Sequence, residues 1–462
     1  MSAEKIHLIG IGGSGMSGLA KVLLAKGHTL SGSDLKPSEA TDQLSRLGVR
    51  VSIGHRAENI PEGTDLVVRS AAVRDENPEI TRGRELGLRI LKYAQMLGQL
   101  SREKETVAVA GTHGKTTTSA MIAHILETAN LTPCYLIGSP LLTTGTNAAW
   151  GRGAHFVAEA CEFDRSFLNL QPKYVTIGNI EEDHLDYYRN LAEIIQAFEE
   201  LCAKAMEDGH LFIGIDNPNS GKVSEKFRSK CDTVSLKQEA DWRATNLTWE
   251  PEGMRFEVMK YGKVFDEFTL GVHGEHNVHN ATIAVACTTF LGVGKELIQL
   301  ALSKFRGTRR RMEVLAQRNG TVYMDDYAHH PTEIRATLQA IKQRYAGKRI
   351  WCIFQPHQQA RTRYLLKDFA RGFGDADVVL ISDIYKARDD EGAKNGAETV
   401  SGRDLAKEIT AAGKPALYLG SFDELQSFVE KKADANSVIV TMGAGNVDEL
   451  AKRLTSKARS SA

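Results

Sequence analysis

The stretch from Thr106 to Thr118, TVAVAGTHGKTTT, constrains the fold more than any other part of this 462-residue chain. A short apolar run ends at glycines, and Lys115 and Thr116 follow directly. A strand, a glycine turn and a helix in that order direct backbone N–H groups and the positive end of a helix toward phosphate oxygens. Lys115 can then reach the outer phosphates, and Thr116 can offer a hydroxyl to Mg²⁺. The stretch therefore predicts a phosphate-binding loop that takes ATP.

The glycine spacing of this loop is a variant. Val109 stands where G-x-x-x-x-G-K-[ST] has its first glycine, and Gly111 leads a tighter G-x-x-G-K-T pattern. The alternative is a plain turn with an exposed lysine, but strand, turn, Lys, Thr and helix all fall in the order that phosphate binding needs. We expect the ATP contacts of the loop to come from Gly111, Thr112, His113, Gly114, Lys115, Thr116 and Thr117.

Length and periodicity predict three α/β domains. A chain of 462 residues is too long for one core, and short apolar runs alternate with amphipathic stretches as in sheets covered by helices. Residues 242–270 instead alternate apolar and polar positions around two turns, which predicts a small antiparallel sheet. We therefore expect a Rossmann-like amino-terminal domain (1–103), a central P-loop ATPase-like α/β domain containing that sheet (104–312) and a Rossmann-like carboxy-terminal domain (313–462).

Composition excludes several classes of partner. The chain carries 58 basic and 58 acidic residues, so no overall field would attract nucleic acid or an anionic membrane. No apolar run approaches the roughly 18 residues of a membrane span, and no secretory signal pattern opens the chain. Six scattered cysteines lack zinc-site spacing. We expect a cytoplasmic protein with small-molecule ligands, as a monomer or a homodimer.

A second glycine motif lies near the amino terminus. Gly10, Gly12 and Gly15 satisfy G-x-G-x-x-G between a strand-like run and a helix-like run, and Asp34 follows about twenty residues later. The glycines allow a pyrophosphate to approach, and Asp34 could accept a hydrogen bond from a ribose hydroxyl. NAD(P) and a uridine diphosphate sugar meet these requirements equally well, so the motif alone leaves both open.

Acidic groups follow two strands behind the phosphate-binding loop. Glu159 and Glu162 fall at the carboxyl end of one strand, where a carboxylate can hold Mg²⁺. Asp183, His184 and Asp186 follow the next strand. A lone histidine is more often packed in a core or exposed on the surface, but one flanked by acids beside an ATP site can bind a second metal or a phosphate.

Further polar groups precede the boundary between the second and third domains. His276, Asn277 and Asn280 open a helix, where capping and contact with adenine are both reasonable roles. Arg311 belongs to a basic run at the boundary and could close on a phosphate when the domains shut.

Two strand ends in the third domain carry groups suited to a carboxylate ligand. Tyr327 and His329 follow one strand in DDYAHHPTE, and His357 follows another in FQPH. Arg361 comes four residues later, and a guanidinium can grip a carboxylate through two hydrogen bonds.

In this order, the motifs resemble the Mur ligase family over essentially the full chain. The resemblance rests on GIGGSGMSGLA, GTHGKTTTSAM, GTNA, AEACEFD, NIEEDHLD, GEHNVHN, DDYAHHPTE, FQPHQQARTR and GAGNV. It implies that ATP phosphorylates the carboxylate of UDP-N-acetylmuramic acid, and that the amino group of L-alanine then displaces phosphate from the acyl phosphate. ATP and Mg²⁺ would serve a step in the synthesis of peptidoglycan precursors.

The resemblance also implies a role for each candidate residue, and it replaces NAD by the sugar nucleotide at the first glycine motif. It assigns the sugar nucleotide to Gly10, Gly12, Gly13, Ser14, Gly15, Asp34, His55, Asn59 and Ser70. It adds His276, Asn277, Asn280 and Arg311 to the ATP site. It gives L-alanine to Tyr327, His329, His357 and Arg361, metal binding to Thr116, Glu159 and His184, and catalysis to Lys115, His184 and Arg361.

One departure from the family pattern bears on the acceptor. Gln358 replaces the arginine that usually follows QPH, which leaves glycine or L-serine open beside L-alanine. A ligase of the same fold with another amino acid or a peptide as acceptor is therefore one alternative. An NAD-dependent oxidoreductase is an alternative of a different class, but it leaves Lys115 and Thr116 unexplained.

Overall fold

A computed structural model describes residues 3–185, 187–386 and 399–456. Three sheets follow one another along the chain, each with its own helices. The predicted three-domain α/β class is confirmed, whereas the boundaries after residues 103 and 312 stay predictions. Within the described ranges, no helix combines the length and apolar character needed to cross a membrane.

The first sheet is parallel throughout, with the order β3-β2-β1-β4-β5. Its order reverses between β1 and β4, and the first glycine motif follows β1 at this switch point, where such sheets bind ligands. The strands are β1 (Lys5–Ile9), β2 (Thr29–Asp34), β3 (Arg50–Ile53), β4 (Leu66–Arg69) and β5 (Arg89–Lys92), and the helices are α1 (Ser14–Ala25), α2 (Glu39–Arg46), α3 (Pro78–Glu85) and α4 (Tyr93–Ser101).

The central sheet has ten strands in the order β15-β14-β13-β12-β11-β10-β6-β9-β7-β8. Its strands are β6 (Glu105–Ala110), β7 (Cys134–Leu136), β8 (Ala148–Trp150), β9 (His155–Glu159), β10 (Tyr174–Ile177), β11 (His210–Gly214), β12 (Cys231–Ser235), β13 (Trp242–Glu250), β14 (Gly253–Lys260) and β15 (Lys263–Leu270). Its helices are α5 (Lys115–Thr128), α6 (Leu191–Ala203), α7 (Pro218–Lys226), α8 (Glu275–Phe290) and α9 (Lys295–Lys304). β13, β14 and β15 pair antiparallel, as predicted for 242–270.

The third sheet has the order β16-β17-β21-β18-β19-β20. Its strands are β16 (Glu313–Arg318), β17 (Thr321–Asp326), β18 (Arg349–Phe354), β19 (Val378–Ile381), β20 (Ala416–Tyr418) and β21 (Ser437–Met442). Its helices are α10 (Pro331–Arg344), α11 (Gln359–Tyr364), α12 (Leu366–Ala370), α13 (Gly402–Ala411), α14 (Phe422–Lys432) and α15 (Val447–Ser456).

Candidate functional site

The phosphate-binding loop connects β6 to α5 in the central domain. β6 pairs with β9 on one side and β10 on the other, and α5 begins at Lys115. Gly111 and Gly114 have φ angles of 130° and 82°, which only glycine adopts without strain. A Cβ atom on Gly114 would lie 2.5 Å from Oδ1 of Asn280. The loop therefore needs glycine both for its turn and for the close approach of α8.

Lys115 reaches back over the loop to a carboxylate. Its Nζ donates to the carbonyl oxygens of Gly111 (2.6 Å) and Thr112 (3.0 Å) and to Oε2 of Glu162 (3.0 Å). Burial acts to lower the pKa of Lys115, but the negative charge of Glu162 outweighs it and holds this pKa well above its ordinary value. Lys115 is therefore a cation held against the loop by Glu162.

Thr116 and Glu159 form an oxygen-rich pair beside Lys115. The Thr116 hydroxyl lies 3.0 Å from Oε2 of Glu159, and the same carboxylate oxygen accepts from the backbone N–H of Gly138 at 2.7 Å. A hydroxyl and a carboxylate are the ligand types that Mg²⁺ takes, so the residues present fit that ion. The carbonyl oxygen of Gly138 accepts a hydrogen bond from the Ser14 hydroxyl, which links this pair to the glycine loop of the first domain.

His184 is held by neighbours other than Glu159. Its Nε2 lies 3.8 Å from Oδ2 of Asp183, and its ring centroid lies 5.0 Å from that of Phe163. Its φ angle is 54°, an uncommon conformation for a residue other than glycine. Asp186, which sequence analysis grouped with His184, lies outside the described residues.

A cavity of about 580 Å³ opens between the central and third domains. It is lined by seven of the predicted ATP residues: His113, Gly114, Thr117, His276, Asn277, Asn280 and Arg311. The other four, Gly111, Thr112, Lys115 and Thr116, belong to the same loop but not to the lining. Burial, aided by the charge of Arg311, lowers the pKa of His276 to about 4, so this ring is neutral.

The two asparagines differ in what they do. The Asn277 amide donates to the carbonyl oxygen of His273 at 2.7 Å, which ties it to the start of its own helix. Asn280 approaches the phosphate-binding loop at Gly114 instead. Asp216 and Lys237 also line the cavity, and sequence reasoning missed both because neither belongs to a motif.

The four residues assigned to the amino acid come together in the third domain. The Tyr327 and His329 ring centroids lie 5.4 Å apart, and those of His329 and His357 lie 6.2 Å apart. An Nη atom of Arg361 lies 3.2 Å from Nδ1 of His357. Burial and the charge of Arg361 lower the pKa of His329 to about 4 despite the opposing charge of Glu333.

Arg361 also spans the gap to the central domain. Its Nε and an Nη atom donate to Oδ1 of Asp183 at 2.9 and 2.8 Å. Burial alone would raise the pKa of Asp183, but the Arg361 guanidinium outweighs it and holds that pKa well below its usual range. The contact places the third-domain cluster beside His184. Gln358, with a φ angle of 69°, lines a small pocket here together with His184 and Arg361.

The glycine loop of the first domain is held by the end of β2. Oδ2 of Asp34 accepts from the backbone N–H of Gly12 at 2.8 Å. The residue predicted to bind a ribose hydroxyl therefore already supports the loop. Gly13 precedes α1, which starts at Ser14, and Gly15 packs against the Tyr93 ring. Ser70 lies beside Gly10, where an added Cβ would stand 3.0 Å from the Ser70 Cβ.

His55 and Asn59 converge on a buried carboxylate that sequence reasoning missed. Oε1 of Glu79 lies 3.1 Å from Nδ1 of His55 and accepts from the Asn59 amide at 2.8 Å. Oε2 of Glu79 lies 2.8 Å from Nε2 of His7 and accepts from the Ser33 hydroxyl at 2.7 Å. Burial acts to raise the pKa of Glu79, but these hydrogen bonds outweigh it and lower the pKa to about 2.

The fold and site define a three-domain α/β protein with a phosphate-binding loop at the centre and a second glycine loop facing it. Family models match this chain in three consecutive segments. They are described as the Mur ligase family catalytic domain (5–105), the Mur ligase middle domain (109–288) and the Mur ligase glutamate ligase domain (310–445).

Individual relatives agree with these matches. A UDP-N-acetylmuramate--L-alanine ligase of Alkaliphilus metalliredigens is 41% identical over 98% of this chain and 97% of its own. The protein of that name in Caldanaerobacter subterraneus is 40% identical over 97% of each chain. The crystal structure of the UDP-N-acetylmuramate-alanine ligase of Thermotoga maritima superposes with a TM-score of 0.86 at 30% identity, covering 99% of this chain and all of that one. The chain therefore belongs to the Mur ligase family, whose members are ATP-dependent ligases.

Proposed function

We propose that this chain joins L-alanine to the carboxylate of UDP-N-acetylmuramic acid, using ATP and forming ADP and phosphate. The reaction is a step in the synthesis of peptidoglycan precursors. The observation that carries the proposal is the Arg361–Asp183 contact, which joins the third-domain cluster of Tyr327, His329, His357 and Arg361 to the central domain that contains the phosphate-binding loop. The curated relatives named above support the same substrates.

The first step activates the carboxylate of the sugar nucleotide. The cation of Lys115 would neutralise charge on the transferring phosphoryl group, and an incoming phosphate would replace Glu162 as its partner. Thr116 and Glu159 would hold one Mg²⁺, and His184 would hold a second. The ion, when bound, supplies charge neutralisation on the phosphate oxygens. Transfer of the γ-phosphoryl to the carboxylate oxygen gives an acyl phosphate.

The second step brings the amine to that acyl phosphate. Arg361 and His357 are suited to hold the carboxylate of L-alanine, while Tyr327 and the neutral ring of His329 enclose the remainder. The amino group attacks the carbonyl carbon, and the tetrahedral intermediate collapses with loss of phosphate. Positioning the amine this way converts a bimolecular attack into an intramolecular one.

The sugar nucleotide occupies the first domain in this proposal. Gly10, Gly12, Gly13, Ser14 and Gly15 would cradle its diphosphate at the switch point of the sheet, with Asp34, His55, Asn59 and Ser70 around the rest. Because these nucleotide substrates are soluble, the protein would work in the cytoplasm without nucleic acid or membrane partners. It would act as a monomer or a homodimer. The three family-model matches are all to Mur ligases, so they do not support the alternative of an NAD-dependent oxidoreductase.

Phosphate release from ATP tests the proposal. The purified protein with Mg²⁺ and UDP-N-acetylmuramic acid is compared with L-alanine, L-serine, glycine and no amino acid. We expect release that needs the sugar nucleotide and is greatest with L-alanine. Release that is independent of the sugar nucleotide, or absent with every amino acid in folded protein, would refute the proposed reaction.

Gln358 supports a second candidate, a ligase of the same fold with a different acceptor. It lines the pocket beside Arg361 where the family usually places a further cation. A murein peptide ligase from Psychrobacter arcticus superposes with a TM-score of 0.74 at 27% identity, covering 98% of each chain. Faster turnover with L-serine, glycine or a peptide would select this candidate.

A further inference from the structure

Two histidines and a glutamate meet where the third domain contacts the phosphate-binding loop. Nε2 of His113 lies 3.3 Å from Oε2 of Glu181, and Nδ1 of His330 lies 3.8 Å from the same oxygen. One ligand atom from each of the three residues lies within 4.8 Å of the other two. Within residues 3–185, 187–386 and 399–456, no other three side chains of His, Cys, Asp or Glu form such a group.

We propose that His113, Glu181 and His330 form a binding site for a divalent transition metal, with Zn²⁺ as the best-suited ion, and that the bound metal locks the third domain onto the central one. His113 and Glu181 come from the central domain, whereas His330 immediately precedes α10 in the third. The site is separate from the oxygen ligands Thr116 and Glu159, and its existence does not depend on the proposed reaction.

The partners of the two imidazoles orient them as metal ligands. Nδ1 of His113 lies 3.2 Å from Oε1 of Glu333, and Nε2 of His330 lies 3.3 Å from the carbonyl oxygen of Glu182. Metal-binding histidines commonly donate their second ring N–H to a carboxylate or a carbonyl oxygen, which fixes the tautomer. Here both outer partners are present, so the inner nitrogens, Nε2 of His113 and Nδ1 of His330, face Glu181.

Each nitrogen of the His113 ring faces a carboxylate, Glu181 at 3.3 Å and Glu333 at 3.2 Å. A metal ion bound by His113, Glu181 and His330 would compete with Thr332. The Thr332 hydroxyl donates to Oε2 of Glu181 at 2.8 Å, and its backbone N–H makes a longer contact of 3.3 Å to Nδ1 of His330.

Ligand chemistry separates this site from a magnesium site. Imidazole nitrogens suit Zn²⁺ and Co²⁺, whereas Mg²⁺ prefers oxygen. Two histidines and one glutamate, with the fourth position left to water, is a recurrent tetrahedral set for Zn²⁺. Excess Mg²⁺ should therefore fill the Thr116–Glu159 pair without displacing Zn²⁺ from the histidines.

Bound Zn²⁺ would oppose domain opening. Two of its ligands, His113 and Glu181, line the cavity between the domains, and the third, His330, belongs to the third domain directly before α10. A ligand that binds only the closed arrangement shifts the population toward it. We expect Zn²⁺ to raise the melting temperature and to slow nucleotide exchange.

Cobalt spectroscopy of the full chain tests the site without relying on activity. Co²⁺ is titrated in the presence of excess Mg²⁺, its visible absorption is recorded, and Zn²⁺ is then added in competition. His330→Asn and Glu181→Gln are compared with the wild type, because Asn can replace His330 at the helix N-cap and Gln keeps the shape of Glu181. His155→Asn, which changes a histidine on β9 outside the cluster, is the matched control.

We expect one Co²⁺ per chain with the intense absorption of four-coordinate cobalt, displaced by one Zn²⁺. Replacing even an outer partner of a metal ligand costs about 10–100-fold in affinity, so each cluster variant should lose at least about tenfold, whereas His155→Asn should match the wild type. Absent binding, a pale six-coordinate spectrum, or unchanged affinity in both folded cluster variants would each overturn the proposal.

Discussion

The two glycine loops of this protein share a strand–loop–helix geometry but differ in what stabilises them. The central loop is surrounded by ionised side chains, with Lys115 bonded to Glu162 and Thr116 to Glu159. The first loop has no lysine, and its backbone N–H groups are instead bonded to Asp34 and to the carbonyl oxygen of Ser33. The same backbone motif therefore has a cation beside it in the central domain, whereas in the first domain it is held by acceptors at the end of β2.

Removing the lysine of the central loop should have the largest effect. We expect Lys115→Ala to lower kcat by about 10³-fold, the scale of losing a cation from a transferring phosphoryl group. Binding of UDP-N-acetylmuramic acid, measured by calorimetry, should be unchanged because Lys115 lies in the central domain and not in the first glycine loop. Lys222→Ala, an exposed lysine on α7, is the control. Turnover like that of the wild type would remove Lys115 from the mechanism.

A methyl group at Gly138 should have the next largest effect, because this residue contacts both loops. A Cβ there would lie 2.6 Å from Oε2 of Glu159 and 2.8 Å from the Thr116 hydroxyl. We expect Gly138→Ala to lower kcat/KM for ATP by about 10²-fold, as displacements of this size do, and to raise the Mg²⁺ concentration required.

Gly138→Ala also measures how independent the loops are. The Gly138 carbonyl accepts from Ser14, so a shift of the peptide that disturbed both loops would weaken the sugar nucleotide as well. We expect that affinity to stay close to the wild-type value, because the collision lies on the Glu159 side. Gly221→Ala on α7, where the nearest atom to an added Cβ is 3.9 Å away, is the matched control. Equal losses for both nucleotides would contradict the contrast between the loops.

Motifs made of neighbouring residues could be predicted from the sequence, whereas partners distant in the chain could not. The phosphate-binding loop, the antiparallel strands of 242–270 and the helix that contains His276 in its first turn follow local patterns, and the structure contains all three. No local pattern marks β16, because this half-exposed edge strand does not alternate clearly between buried and exposed positions. The pairing of Asp183 with Arg361 joins residues 178 positions apart, which no local pattern encodes.

Replacing Glu79 should have the smallest effect of these substitutions, and the effect should be confined to the first loop. Its carboxylate holds His55 and Asn59, and through Ser33 it supports the strand end that binds the Gly10 N–H. We expect Glu79→Gln to raise KM for UDP-N-acetylmuramic acid by about tenfold with little change in kcat, the cost of weakening one charged hydrogen bond. Glu85→Gln, on the exposed face of α3, is the control. A loss confined to kcat would contradict a positioning role.

The same variant should reveal a pH window. Because the folded-state pKa of Glu79 is lowered from 4.5 to about 2, its contribution is fully present above pH 4.5 and is lost as the pH falls toward 2. The contribution amounts to at most about 3 kcal/mol of unfolding free energy. Urea unfolding should therefore show wild type and Glu79→Gln differing most near pH 7 and converging as the pH falls below 4.5. A difference that stayed constant with pH would show that Glu79 acts by packing, and the first loop would then owe its shape to its backbone alone.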